Sequence, residues 1–339
     1  MISLAELDAV AAERSFSGTV TVDVDDHRVL ERSYGFAHRA LRVPNTSATR
    51  FAMASGSKSF TALAIMRQVV AGTLRLQDPV RRFLRDDLPL IDDGVTIEHL
   101  LTHTSGMGDY LDEDDDWDPA DHVLSVPVHT LETAESFLPI LDGLPSKHEP
   151  GARFTYCNGG YVVLAIVLER VTGRQFQDVV DAEVIRPAGL TGTAYLRSDE
   201  LPGDAALGYL HPEGDRSNVL HLPVRGNGDG GAYTRAADLH QFWQALHAGA
   251  IVPSDVLTEM TRPRSDVPDE DLRYGIGFWL HPEDPAVVMG GFDAGVAFRS
   301  THDPATRTTA TVLSNCTFGS GAIVTLLQDS WLDVLPPRS

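Results

Sequence analysis

The sequence predicts an α/β protein of the α+β kind, in which an antiparallel sheet flanked by helices carries an all-helical insertion. Two observations carry this expectation. Strand-type alternation is confined to the two ends of the chain, near residues 18–30 and 274–313, and helical spacing dominates between them. Strands so far apart share a sheet only if the ends meet, which assigns residues 1–78 and 236–339 to a sheet domain and 79–235 to a mainly helical one.

Each element has a local reason. Leu4, Leu7, Val10 and Ala11 fall at helical spacing within residues 2–14. Val20, Val22 and Val24 alternate with polar residues, and after Asp25-Asp26 the chain returns through Val29 and Leu30 as a hairpin. Residues 57–71 place Phe60, Leu63, Ala64, Met66 and Val70 on one helical face, with Gly72 as the stop. Helical segments broken by loops follow from 78 to about 235. The acidic run at 112–116 reads as a solvated loop, because five contiguous carboxylates cannot converge on one ion. A helix over 238–250 precedes strands at 274–280, 286–289, 296–300 and 308–313, and a helix over 322–335 follows them. Asp303-Pro304 supplies the turn between the last two strands.

The 339 residues carry 27 Lys+Arg against 48 Asp+Glu, a net charge of −21. A polyanion of this strength disfavours nucleic acid and anionic membranes as partners. The longest apolar run, 161–168, is too short to cross a bilayer core of about 30 Å. Residues 1–16 lack the basic and apolar regions of a signal peptide, so a cytoplasmic location is expected. Cys157 and Cys316 are the two cysteines, too few for a disulfide scaffold or a cysteine zinc cluster.

Positive charge is supplied almost wholly by arginine, the two lysines being Lys58 and Lys147. Arginine stays protonated, whereas a desolvated lysine can act as a base. Lys58 lies three residues after Ser55 at the head of the predicted helix, so both side chains share one face of its first turn. Free N–H groups there favour an oxyanion. Ser-x-x-Lys also arises by chance, with the serine as a mere helix cap. A second element, Tyr156-Cys157-Asn158, is the one Tyr-x-Asn among eight tyrosines. A loop is expected to hold it between a Pro-Gly turn and an apolar helix over 161–171. A phenol beside an amine can shuttle a proton, and a carboxamide can orient both lysine and substrate. The third element is Met289-Gly290-Gly291-Phe292, on a strand whose glycines would let a substrate lie along it.

These elements, in this order, resemble the serine β-lactamase and penicillin-binding-protein-like superfamily, most closely its class C branch of esterases, D-amino-acid peptidases and acyltransferases. Residues 51–60, 74–80, 100–106, 230–234 and 274–278 also match that family's habits. The resemblance implies a β-lactamase/transpeptidase-like fold with its active site between the two domains, and no cofactor or metal. It implies Ser55 as acylated nucleophile, Lys58 as base, Tyr156 as proton shuttle and Asn158 as orienting residue. The backbone N–H groups of Ser55 and Phe292 would be the oxyanion donors, and Met289, Gly290 and Gly291 would border the substrate. Tyr110, Trp117, Tyr233 and Tyr274 would wall the pocket.

One position departs from the pattern. The family usually carries lysine or histidine where this chain has Met289, and a thioether cannot hold a substrate carboxylate. Small uncharged esters, amides or peptides are therefore the expected substrates, in preference to β-lactams or D-Ala-D-Ala peptides. A β-lactamase or D-Ala-D-Ala peptidase, an acyltransferase using the same acyl-enzyme, and a non-catalytic binding protein of this fold stand as alternatives. His99 and His103 have a zinc-compatible spacing, but Glu98 precedes them where a zincin needs it between, and a structural role for His103 beside the Thr104-Ser105-Gly106 turn is expected. No Gly-x-Ser-x-Gly elbow is present.

Overall fold

The computed structural model of the chain describes residues 3–112 and 118–329. At its centre is an eight-stranded sheet of β1 (Gly18–Val24), β2 (His27–Tyr34), β3 (Ser265–Val267), β4 (Leu272–Tyr274), β5 (Trp279–Leu280), β6 (Val287–Asp293), β7 (Val296–Asp303) and β8 (Thr308–Ser314). The strands run antiparallel in the order β2-β1-β8-β7-β6-β5-β4-β3. β1 lies against β8 from Gly18 opposite Ser314 to Val24 opposite Thr308, so the two ends of the chain meet as the alternation predicts.

Period-two patterning gives the sheet two different faces. Val20, Val22, Ala310 and Val312 point to one side, where α1 (Leu4–Glu13) and α5 (Gly321–Asp329) cover them with Leu7, Ala11, Ile323 and Leu327. The other side carries α2 (Lys58–Val70) and α4 (Ala236–His247), and α3 (Asn158–Thr172) packs against α2. Three of the buried polar side chains under α4 are paired with one another, which makes their burial tolerable. Trp243 Nε1 donates to Ser300 Oγ at 2.9 Å, and Ser300 Oγ lies 3.0 Å from Thr311 Oγ1. α2 and α3 are buried on nearly every side through their first turns, as befits helices at the centre of a core.

Several boundaries differ from the sequence reading, each for a local reason. The strand predicted at 274–280 is broken into β4 and β5 around Gly277, whose φ is +75°; a side chain there would stand 2.2 Å from Ala62 Cβ of α2. β6 continues to Asp293 because β7 pairs with it throughout. α3 starts at Asn158, so this residue opens the helix and does not sit in the loop before it. The helix Ser254–Met260 and the edge strand β3 are not among the elements expected from the sequence. Among the described residues between 79 and 235 the α-helices are Arg81–Leu84, Ile97–Leu101, Leu138–Leu141, α3 and Phe176–Val180, the last continued by a π turn over Asp181–Ile185. Residues 186–232, rich in glycine and proline, then run without a helix or named strand. The acidic run after Asp112 and the predicted helix beyond residue 329 lie outside the described residues. Among the described residues no helix is long and apolar enough to cross a membrane.

Asn315, just after β8, ties this irregular run to the sheet. It is 3% exposed; its Nδ2 donates to the Phe36 and Leu207 carbonyls at 3.0 and 2.9 Å, and its Oδ1 accepts from Ser17 Oγ at 2.7 Å. Asn315→Ala removes three partners at once and is expected to destabilise the fold by roughly 2–4 kcal/mol. Urea unfolding of the two proteins side by side measures this, and a change under about 0.5 kcal/mol would contradict it.

Candidate active site

Ser55 lies in a 3₁₀ turn, Ala54–Ser57, that leads directly into α2. Ala54 has φ +40°, a conformation costly for a residue with a β-carbon, so its surroundings must hold it there. They do so from residues 231–232. The Ala232 carbonyl accepts from Met53 N at 2.9 Å, Gly231 N donates to the Ala54 carbonyl at 3.3 Å, and Ala232 N donates to Ser57 Oγ at 3.0 Å. From the other flank β6 presses on the same turn. A β-carbon on Gly291 would sit 2.8 Å from the Ser55 and Gly56 nitrogens and 2.3 Å from the Met53 carbonyl oxygen. Only glycine permits that approach.

Lys58 is 3% exposed. Its Nζ lies 2.9 Å from Ser55 Oγ and donates to Asn158 Oδ1 and the Asp229 carbonyl, each at 2.7 Å. A buried amine is tolerable only with such partners. Asn158 is held in turn: its Nδ2 donates to the Leu111 carbonyl at 3.0 Å, and its backbone N donates to Asp109 Oδ2 at 2.5 Å. Gly159 N reaches Asp109 Oδ1 at 2.8 Å, so one carboxylate takes two free N–H groups at the head of α3. Burial pushes the Asp109 carboxyl up to about 7, against backbone N–H groups of Gly159, Asn158 and Leu111 that pull it down.

Tyr156 is clamped between rings. His103 stacks on it at 4.3 Å between centroids and 28° between planes, and Trp279 lies beyond the ring at 6.0 Å and 13°. Lys58 Nζ is 4.9 Å from the Tyr156 ring centroid. His103 also grips the backbone on both sides of the tyrosine. Its carbonyl accepts from Thr155 N at 2.8 Å and its Nδ1 from Cys157 N at 3.0 Å. Burial, then the charge on Lys58, holds this imidazole well below its ordinary value, so it is neutral and Nε2 carries the proton. His99 is engaged elsewhere, in the capping box of Thr96, and the two histidines do not form one site.

Two cavities open at Ser55. The wider, about 820 Å³, is bordered by Tyr156, Trp279, Gly290, Gly291 and Phe292. The narrower, about 70 Å³, lies on the side of Asn158 and is bordered by Tyr110, Asp229, Tyr233 and Phe292. Ser55, Lys58, Tyr156, Asn158, Gly290, Gly291 and Phe292 are thus brought together, and Tyr110 and Tyr233 stand where a pocket wall is expected. Two expected residues do not line either cavity. Met289 is 1% exposed and packs in the main core, because alternation along β6 turns it away from the cleft. Tyr274 is buried behind the site, its hydroxyl 3.2 Å from that of Tyr161. Trp117 lies outside the described residues.

The sequence reading missed Asp109, Trp279 as a partner of Tyr156, and Asp229. Asp109 is 49 residues from the backbone N–H it holds, and Asp229 supplies a carbonyl, which no side-chain motif announces. His103 was read as a local turn residue, and its contacts reach instead to the Tyr156 loop.

Comparison with known proteins agrees with this architecture. A family model described as Beta-lactamase matches residues 5–327. The crystal structure of a penicillin binding protein from Bacillus halodurans superposes with a TM-score of 0.89 at 36% identity, covering 95% of this chain and 99% of that one. Esterase EstB of Burkholderia gladioli is 30% identical over 309 residues, 81% of this chain and 78% of that protein. D-aminopeptidase of Brucella anthropi is 30% identical over 277 residues, covering 78% of this chain, which spans 49% of that longer protein. A match that runs through sheet and helical body alike, and includes the turn bearing Ser55 and Lys58, makes this chain a member of the Beta-lactamase family.

Proposed function

We propose that the chain is a serine hydrolase that cleaves small esters or amides through an acyl-enzyme on Ser55. The coordination of Lys58 carries this reading. A neutral amine has two N–H bonds and one lone pair. Once Lys58 has given up a proton, Asn158 Oδ1 and the Asp229 carbonyl, which can only accept, still engage its N–H bonds at 2.7 Å each, and its nitrogen stands 2.9 Å from the Ser55 hydroxyl. That is the arrangement a serine nucleophile requires.

The steps follow. Lys58 takes the Ser55 proton as Oγ bonds to the substrate carbonyl carbon, and the negative oxygen is held by the backbone N–H groups of Ser55 and Phe292. The contact of Gly291 with the turn supports this pairing, since it brings β6 against the Ser55 nitrogen. The proton passes through Tyr156 to the leaving alkoxide or amine as the carbon–heteroatom bond breaks. Water, stripped of a proton by the same pair, then attacks the acyl carbon, and the bond from that carbon to Ser55 Oγ breaks as Oγ takes the proton back. Similarity to an esterase and to a D-aminopeptidase supports esters and amides as the substrate class. Met289, buried in the core, offers no cation to a substrate carboxylate, and the net charge of −21 repels anions at long range.

A fluorophosphonate probe should label the wild-type protein and not Ser55→Ala. Equal labelling of both would remove the nucleophile from this assignment. Lys58→Arg keeps the charge but cannot release its proton; turnover of 4-nitrophenyl propionate should fall by at least about 100-fold, and retention of more than about a tenth of the wild-type rate would rule out Lys58 as base. A cephalosporin should be hydrolysed at under about a tenth of the rate of that aryl ester, and comparable rates would refute the role given to Met289.

A further inference from the structure

Of the two cavities that meet at Ser55, the narrower holds hydrogen-bonding capacity that the protein itself does not use. Asn227 lines it and is 2% exposed; its Oδ1 accepts from Gly228 N at 2.7 Å, while its Nδ2 has no partner. Ser198 lines the same cavity, and its hydroxyl, closed off from solvent, has none either. Buried donors are rarely left in this state, because each gives up its bonds to water without replacement. The backbone of Asn227 is fixed, its N–H donating to the Gly230 carbonyl at 2.9 Å, and Asp229 between them gives its own carbonyl to Lys58. The unused amide N–H bonds therefore lie beside the turn that holds the base.

We infer that the narrow cavity receives a small acyl group bearing a hydroxyl, whose oxygen accepts from Asn227 Nδ2. This rests on the acyl-enzyme reading just given, in which the leaving group departs on the side of Tyr156, in the wide cavity. The lining selects the hydroxyl over other polar groups. An ammonium brings donors alone and leaves Asn227 Nδ2 as it was. A carboxylate accepts, but Asp229 and Asp293 are the charged lining residues of this cavity and repel it. A ketone or ether oxygen accepts and has no hydrogen to offer those carboxylates. A hydroxyl does both: its lone pairs take the Asn227 N–H, and its hydrogen goes to a carboxylate or to Ser198 Oγ. Asp229 is held in place for this, because the Tyr110 hydroxyl donates to its Oδ2 while the same residue's carbonyl binds Lys58. The space, about 70 Å³, is little more than two waters' share of about 30 Å³ each, so the hydroxyacyl group is short.

The test compares both enantiomers of methyl lactate, and methyl 3-hydroxypropionate, with methyl propionate, which has the same carbon skeleton without the hydroxyl. Acid release in a pH-stat gives kcat/KM, and each value is divided by that ester's rate constant for hydroxide hydrolysis to remove intrinsic reactivity. One hydroxy ester should then exceed methyl propionate by at least about tenfold. Asn227→Ala should lower that ratio by at least about fivefold, and a ratio is insensitive to loss of folded protein. A wild-type ratio near one, with turnover of methyl propionate still dependent on Ser55, overturns the hydroxyl site and leaves the hydrolase reading standing. A high ratio that survives both Asn227→Ala and Ser198→Ala overturns the assignment to this cavity. Absence of any Ser55-dependent turnover or labelling defeats both readings.

Discussion

A lysine amine almost wholly withdrawn from solvent is the constraint on which the site depends. Lys58 is 3% exposed and bonds oxygen atoms from three parts of the chain, at residues 55, 158 and 229. Burying an amine without such partners would cost several kcal/mol, so the 3₁₀ turn, the head of α3 and the glycine-rich run before residue 232 are obliged to converge. The sheet supplies the fourth side, with Gly291 of β6 set against the turn. The geometry of the site is a by-product of satisfying one polar group inside an apolar core.

Around that centre the positioning is done by rigid contacts. Tyr156 sits between His103 and Trp279, and His103 is itself ringed by Phe154, Tyr161 and Tyr274. Stacked rings have few rotamers to lose and pack densely. Trp279 comes from the short strand β5 and His103 follows the helix Ile97–Leu101, so the phenol is fixed jointly by the sheet and the helical body. Asp109 does the same for Asn158 through the backbone.

Much of this was legible in the sequence because the signals were local. The i, i+3 pair of Ser55 and Lys58, the Tyr156-Cys157-Asn158 triplet and the paired glycines each fit within a few residues. The alternation at both ends of the chain likewise announced the shared sheet. What remained hidden was of two kinds. Asp109 and Asp229 act on or through backbone groups far away in sequence, and such pairings leave no periodic trace. Met289 and Tyr274 turned on which face of a short or broken strand is inward, and a single-residue change of phase reverses that. The sequence starts α3 too late because Gly159 and Gly160 weaken helix propensity; the carboxylate of Asp109 and the Cys157 Sγ, which accepts from Gly160 N at 3.3 Å, offset this.

The pairing of β1 with β8 also sets an order of events during synthesis. Ser17 and Asn315, which hydrogen bond to one another, are 298 residues apart, so the first hairpin leaves the ribosome long before its neighbour in the sheet exists. At about 5–20 residues per second, β1 waits for on the order of 15–60 s with one edge unpaired. Gly291 also emerges late, and the turn at Ser55 stays without its supporting strand until then. A nascent chain therefore carries Ser55 and Lys58 long before the strand that borders them, and the site is complete only when the sheet closes.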